Sequence, residues 1–149
     1  MKKNLHKNEI KSQTIDFQIF KILELMKLLG NIVWLIFGGL FTAIEYFTAG
    51  IAMCLTIIGI PFGFQCFKLG LFMLFPFGQK TIKGNVDGGL LFTIMNIIWF
   101  FIGGLPIVLT HLFFGVLLAI TIIGLPFAKQ HFKLMSMAFT PFGRKVVSD

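Results

Sequence analysis

The chain has 149 residues, of which 56% are apolar and only 13% charged, with a mean hydropathy of +0.89. A soluble domain carries about 25% charged residues to keep its surface wetted, so a soluble globular enzyme and a disordered chain are both excluded. The net charge of +7 would point to nucleic acid in a soluble protein. Here the basic residues flank apolar runs instead, which excludes that partner and points to a membrane with anionic headgroups.

Residues 1–29 carry the first basic cluster, Lys2, Lys3, Lys7, Lys11, Lys21 and Lys27. Polar residues continue to Gln18 with no short apolar core and cleavage site, so the segment is read as retained and not as a signal peptide. Ile15, Ile19, Ile22, Leu23, Met26 and Leu29 share one helical face, with Asp16, Lys21, Glu24 and Lys27 off it. The expectation is an amphipathic helix at the cytoplasmic surface, or a partner-binding helix of the same pattern.

From residue 30 the chain repeats itself. Asn31–Lys80 aligns without a gap on Asn96–Lys145, at an offset of 65 residues. Asn31-Ile32-x-Trp34 matches Asn96-Ile97-x-Trp99, and Gly38-Gly39-Leu40 matches Gly103-Gly104-Leu105. Further on, Thr56-Ile57-Ile58-Gly59-x-Pro61-Phe62 matches Thr121-Ile122-Ile123-Gly124-x-Pro126-Phe127. Gln65-x-Phe67-Lys68-Leu69 recurs as Gln130-x-Phe132-Lys133-Leu134, and Pro76-Phe77-Gly78 as Pro141-Phe142-Gly143. Composition bias would match Phe and Leu, not Asn, Trp, Pro, Gln and Lys in register. The chain is therefore divided into unit 1 (30–80), an aqueous linker (81–89) and unit 2 with its tail (90–149).

Each unit is expected to form a long apolar run, a break at Pro61 or Pro126, and a shorter amphipathic stretch. As one helix, residues 31–61 would be roughly 45 Å long, against a hydrocarbon core of about 30 Å. Two crossings per unit remove that excess and keep the basic clusters on one side. The turns are then expected at Gly38-Gly39 and at Gly103-Gly104 with Pro106. This gives an all-α integral membrane protein in which each repeat is a short helical hairpin followed by an interfacial amphipathic helix. Both termini are cytoplasmic, and the repeats are parallel about an axis along the membrane normal. The spans are short, roughly 14–18 residues, so a re-entrant hairpin or a long broken helix in each unit stays open.

The duplicated set Asn-Ile-x-Trp, Gly-Gly, Thr-Ile-Ile-Gly-x-Pro-Phe, Gln-x-Phe-Lys-Leu and Pro-Phe-Gly resembles the YccF family of small bacterial inner-membrane proteins. The resemblance covers about residues 30–147 and implies an inner-membrane location. It brings no activity and no catalytic residue. Ala128 and Lys129 depart from the Gly63-Phe64 of the first unit, and the polar N-terminal segment is longer than is usual for the family.

Glu45 is the only carboxylate in either long apolar run. With Thr42, Ala49, Ala52 and Thr56 it falls on one small or polar helical stripe, which fits either a wet path or close helix packing. The equivalent stripe of unit 2 is bulkier. His111 is a polar intramembrane candidate, as are Asn31 and Asn96, whose repetition argues for a structural role. Trp34 and Trp99 fit anchoring or packing, and Cys54 fits packing. No nucleophile set, paired catalytic carboxylates, phosphate loop or metal cluster is present, so no enzyme, cofactor or metal is expected. Two functions remain: the first choice is a homo-oligomeric channel or permease for ions or small solutes, and the alternative is a non-conducting accessory or scaffold subunit bound to a membrane-protein partner.

Overall fold

The computed structural model describes residues 2–84 and 88–149, without the side chains of residues 2–5, 7 and 8. Lys2, Lys3 and Lys7 of the first basic cluster, and residues 85–87 of the linker, thus lie outside the described side chains. The order is α1 (Lys2–Trp34), α2 (Leu40–Met53), α3 (Ile60–Leu74), β1 (Gln79–Lys83), α4 (Gly89–Trp99), α5 (Leu105–Ala119), α6 (Leu125–Phe139) and β2 (Arg144–Ser148). Two helical stretches, Glu9–Met53 and Gly89–Ala119, are long and apolar enough to cross a membrane.

The expected all-α architecture of two tandem hairpin units is present, but the hairpins turn elsewhere. Gly38-Gly39 and Gly103-Gly104 lie in five-residue π-helical stretches, Leu35–Gly39 and Phe100–Gly104, which join α1 to α2 and α4 to α5, the first with a kink at Phe37 and Gly38. The chain reverses instead between Met53 and Ile60, and between Ala119 and Leu125, so that α2 packs along α3 and α5 along α6. The stretches expected to lie as interfacial helices are therefore the return arms of the hairpins. Phe62, Cys66, Leu69, Phe72 and Met73 of α3 are buried in the core. Pro61, Pro106 and Pro126 open helices rather than end them, since the first turn has no use for the missing amide hydrogen.

The repeated Thr-Ile-Ile-Gly is the reversal itself. The Gly59 amide donates to Thr56 Oγ1 at 3.0 Å, and Gly124 does the same to Thr121 Oγ1 at 3.0 Å. A Cβ at Gly59 would collide with the Met53 carbonyl, and one at Gly124 with that of Leu118, so only glycine closes these turns. Around them Leu55, Ile57, Ile58, Ile120, Ile122 and Ile123 stand exposed at 66–88%.

The linker is not wholly a loop. β1 pairs antiparallel with β2, in the register Gln79↔Ser148, Thr81↔Val146 and Lys83↔Arg144. Gly78 and Gly143, at φ of 91° and 92°, make the turns that lead into the two strands. The first segment also differs from expectation: α1 runs past residue 29 to Trp34 without a break, and Ile10–Leu29 presents exposed apolar side chains including Phe17, Phe20 and Leu25.

The two units are related by an approximate two-fold axis, and contacts across it come in matched pairs. Phe62 meets Phe142 with ring centroids 4.8 Å apart, while its counterpart Phe127 meets Phe77 at 5.5 Å. Tyr46 stacks on Trp99 at 5.5 Å, and its counterpart His111 stacks on Trp34 at 6.3 Å. Thr81 faces its own counterpart Val146 in the strand pair, so the axis passes through the ribbon.

Candidate functional site

The polar residues singled out in the apolar runs divide into two groups, one that braces each unit and one that gathers where the units meet. Asn31 is a brace. Its Nδ2 donates to the Phe77 carbonyl at 3.1 Å and its Oδ1 accepts from the Phe77 amide at 2.9 Å. Asn96 makes the same two bonds to Phe142, at 3.3 and 3.1 Å. The indole of Trp34 donates to the Met73 carbonyl at 2.7 Å, and that of Trp99 to Ala138 at 2.8 Å. Each pair ties the start of a unit to the end of its hairpin, which is why Asn-Ile-x-Trp recurs with Pro-Phe-Gly.

Glu45 lies on the axis. Its Oε1 accepts from the Thr110 hydroxyl at 2.7 Å, and Thr110 is its own counterpart in unit 2. The two residues stand side by side in a groove walled by Phe41, Ile44, Leu109, Phe113 and Phe114. Glu45 Oε2 is buried and has no hydrogen-bond partner among the described residues.

Most of the remaining members of the stripe are spent within the chain. Thr42 is fully buried, and its hydroxyl donates back to the carbonyls of Gly38 and Gly39, both at 3.1 Å. Ala49 is buried so closely against Gly103 that a Cβ there would overlap its methyl. Ala52 is half-buried, and Thr56 is not on the stripe at all: α2 ends at Met53, and Thr56 sits in the turn. Gly38 approaches Phe114 and Gly103 approaches Ala49, so α2 and α5 run antiparallel past each other with Glu45 and Thr110 between. Small residues here permit backbone approach, the usual device for helix packing in lipid.

His111 and His131 form a contact that only the tertiary structure brings together. Their Nδ1 atoms lie 2.9 Å apart, and His131 Nε2 lies 2.8 Å from the Phe37 carbonyl. A carbonyl only accepts, so His131 donates from Nε2. With both rings neutral, His131 Nδ1 then accepts from His111 Nδ1–H, which leaves His111 Nε2 a bare acceptor. That atom is buried without a partner among the described residues, as is the Tyr46 hydroxyl at the equivalent place in unit 1. The Phe37 carbonyl is free for this bond because the first kink is non-helical there, with Phe37 at φ −97° and ψ 43° and Gly38 at φ 112°. No sequence spacing signals this pair, since the counterpart of His131 is Cys66. Among the described residues no three His, Cys, Asp or Glu gather as a metal site.

The profile of the YccF inner membrane component domain matches residues 29–79 and again 94–144. Inner membrane protein YccF of Escherichia coli K12 is 29% identical over 136 residues, covering 83% of this chain and 88% of that protein. The protein of the same name from Shigella flexneri matches to the same extent. No solved structure matches significantly. Two copies of the domain, each bearing the bracing Asn and Trp, the Gly-Gly pair and the Thr-Ile-Ile-Gly turn, account for most of the chain. It belongs to the YccF family of inner membrane component domains.

Proposed function

We propose that this protein is a non-conducting accessory or scaffold subunit of a larger membrane complex, embedded from the cytoplasmic side. One observation carries this reading: the stripe that a conduit would need is mostly consumed inside the chain. Thr42 is bonded to its own kink, Ala49 is packed on Gly103, and Thr56 closes a turn. The ribbon carries Lys80, Lys83, Arg144 and Lys145, and basic segments of this kind stay cytoplasmic. The two-fold axis then leaves the membrane through the ribbon, with the N-terminal lysines on the same side.

The arms of the hairpins, α2 with 14 residues and α3 with 15, are about 21–23 Å long, short of the roughly 30 Å core. Their tips are apolar, and the amides of Cys54, Leu55, Thr56, Gly59 and Ile60 find acceptors in the turn or in the end of α2, while those of Ile57 and Ile58 find none among the described residues. A turn with two unsatisfied amides at its tip suits the interfacial region better than the centre of the hydrocarbon core. Since α2 and α5 run antiparallel across the axis, the two hairpins extend in opposite directions from it, embedded in the cytoplasmic half of the bilayer without crossing it. In a Cys54→Ser/Cys66→Ala background, cysteines at Ile57 and Ile122 are expected to resist a membrane-impermeant maleimide from either side. A cysteine at Ser148 labels from the cytoplasmic side. Labelling of both tips from outside would mean full crossings.

A homo-oligomeric channel is the second reading, favoured by the unpartnered Glu45 Oε2 in the groove on the axis. Reconstitution of the full chain in liposomes separates the two. The accessory reading expects no cation or anion flux across voltage and pH, and recovery from membranes with one stoichiometric partner. Flux that changes with Glu45→Gln would establish a conduit with that carboxylate on it.

A further inference from the structure

Lys68 on α3 and Lys145 on β2 are exposed, and neither has an acidic partner among the described residues. They stand on the shared rim of two depressions, of about 540 and 410 Å³. One is floored by Leu71, Phe72 and Val146, the other by Phe62, Leu91 and Phe92. The ridge between them is stiff: Gln65 Nε2 donates to the Arg144 carbonyl at 2.8 Å, and Arg144 Nε donates to the Thr140 carbonyl at 3.0 Å.

The equivalent place in the other unit is built differently. The counterparts of Lys68 and Lys145 are Lys133 and Lys80, and Lys80 is paired with Asp149 at 3.7 Å. Leu71 and Phe72 are replaced there by Ser136 and Met137. One unit therefore offers Lys68 and Lys145, with Arg144 beside them, over apolar floors and without an acidic partner among the described residues, while the other neutralises a cation and makes its floor more polar.

We propose that an anionic phospholipid binds at this rim, its phosphate between Lys68 and Lys145 and its acyl chains in the two depressions. Paired positive charge selects the headgroup, and two apolar hollows diverging from one rim select a two-chain lipid over a free anion. The site does not depend on whether the chain conducts.

Native mass spectrometry of the full chain, titrated in detergent with phosphatidylglycerol or phosphatidylcholine, tests it. Phosphatidylglycerol is expected to be retained preferentially, and Lys68→Gln with Lys145→Gln to weaken it about thirtyfold. The pair Lys129→Gln and Lys133→Gln is expected to leave it unchanged. Leu91→Asn, at an exposed position and so safe for folding, is expected to weaken the lipid without altering the melting temperature. Equal binding of both lipids, or wild-type retention by the Lys68/Lys145 variant, would overturn the proposal. So would displacement of the lipid by millimolar inorganic phosphate with no effect of Leu91→Asn, since the site would then read the free anion.

Discussion

Trp34→Ala is expected to lower the stability of the folded protein by about 3 kcal/mol, read as a fall in the melting temperature followed by circular dichroism in detergent. The indole is fully buried, lies tilted against His131 with centroids 4.3 Å apart, and donates to the Met73 carbonyl at 2.7 Å. Its removal opens a cavity at the junction of α1, α3 and the second hairpin. Truncations of this size cost about 3–5 kcal/mol in water-soluble cores. The lower end applies here because lipid is as apolar as the core, which leaves lost packing and one lost hydrogen bond as the main terms. Trp34→Phe keeps most of the volume and isolates the hydrogen bond, at about 1 kcal/mol. A melting temperature unchanged by Trp34→Ala would mean that this brace between α1 and the end of α3 does not hold the unit together.

Gly63→Ala is expected to cost about 1–3 kcal/mol, and Cys54→Ala in the same chain to restore most of it. A methyl at Gly63 meets Cys54 Sγ and lies 2.6 Å from the Gly50 carbonyl, where α3 packs against the end of α2. Unit 2 already contains the answer. The counterpart of Gly63 is Ala128, and the counterpart of Cys54 is Ala119, so a methyl on one arm occupies the room that sulfur takes on the other. The double variant reproduces that arrangement in unit 1. If Cys54→Ala failed to rescue Gly63→Ala, the Gly50 carbonyl and not the sulfur would set the spacing. A thermal-shift series on the four proteins reads the coupling directly.

Much of this was legible from residue types in register. Asn31 with Trp34, Thr56 with Gly59 and Gly78 with Gly143 recur because each satisfies or bends backbone in the same way twice. The misplacement of the hairpin turn has a physical cause. In water a turn declares itself by polar residues, but a turn facing lipid is free to be apolar, and Leu55, Ile57 and Ile58 read as the middle of a span. The Gly-Gly pairs read as turns because glycine is usually spent on conformation. At Gly39 it is spent on room for the Trp34 ring, and only Gly38 takes a positive φ. The strands were hidden in a short basic linker and tail, each too brief for its period to stand out and each stable only against the other.

The sequence alone determined that the chain belongs in a membrane, that it is two copies of one unit, and which residues each unit repeats. Those are properties of composition and local spacing, and neither depends on what faces what. Only the tertiary structure decided that Glu45 meets Thr110, that His131 meets His111 and the Phe37 carbonyl, and that Thr81 meets Val146. Helical periodicity states which residues share a face. The face each one meets is set by how two hairpins cross at an axis, and that follows from packing small residues of one unit against the other.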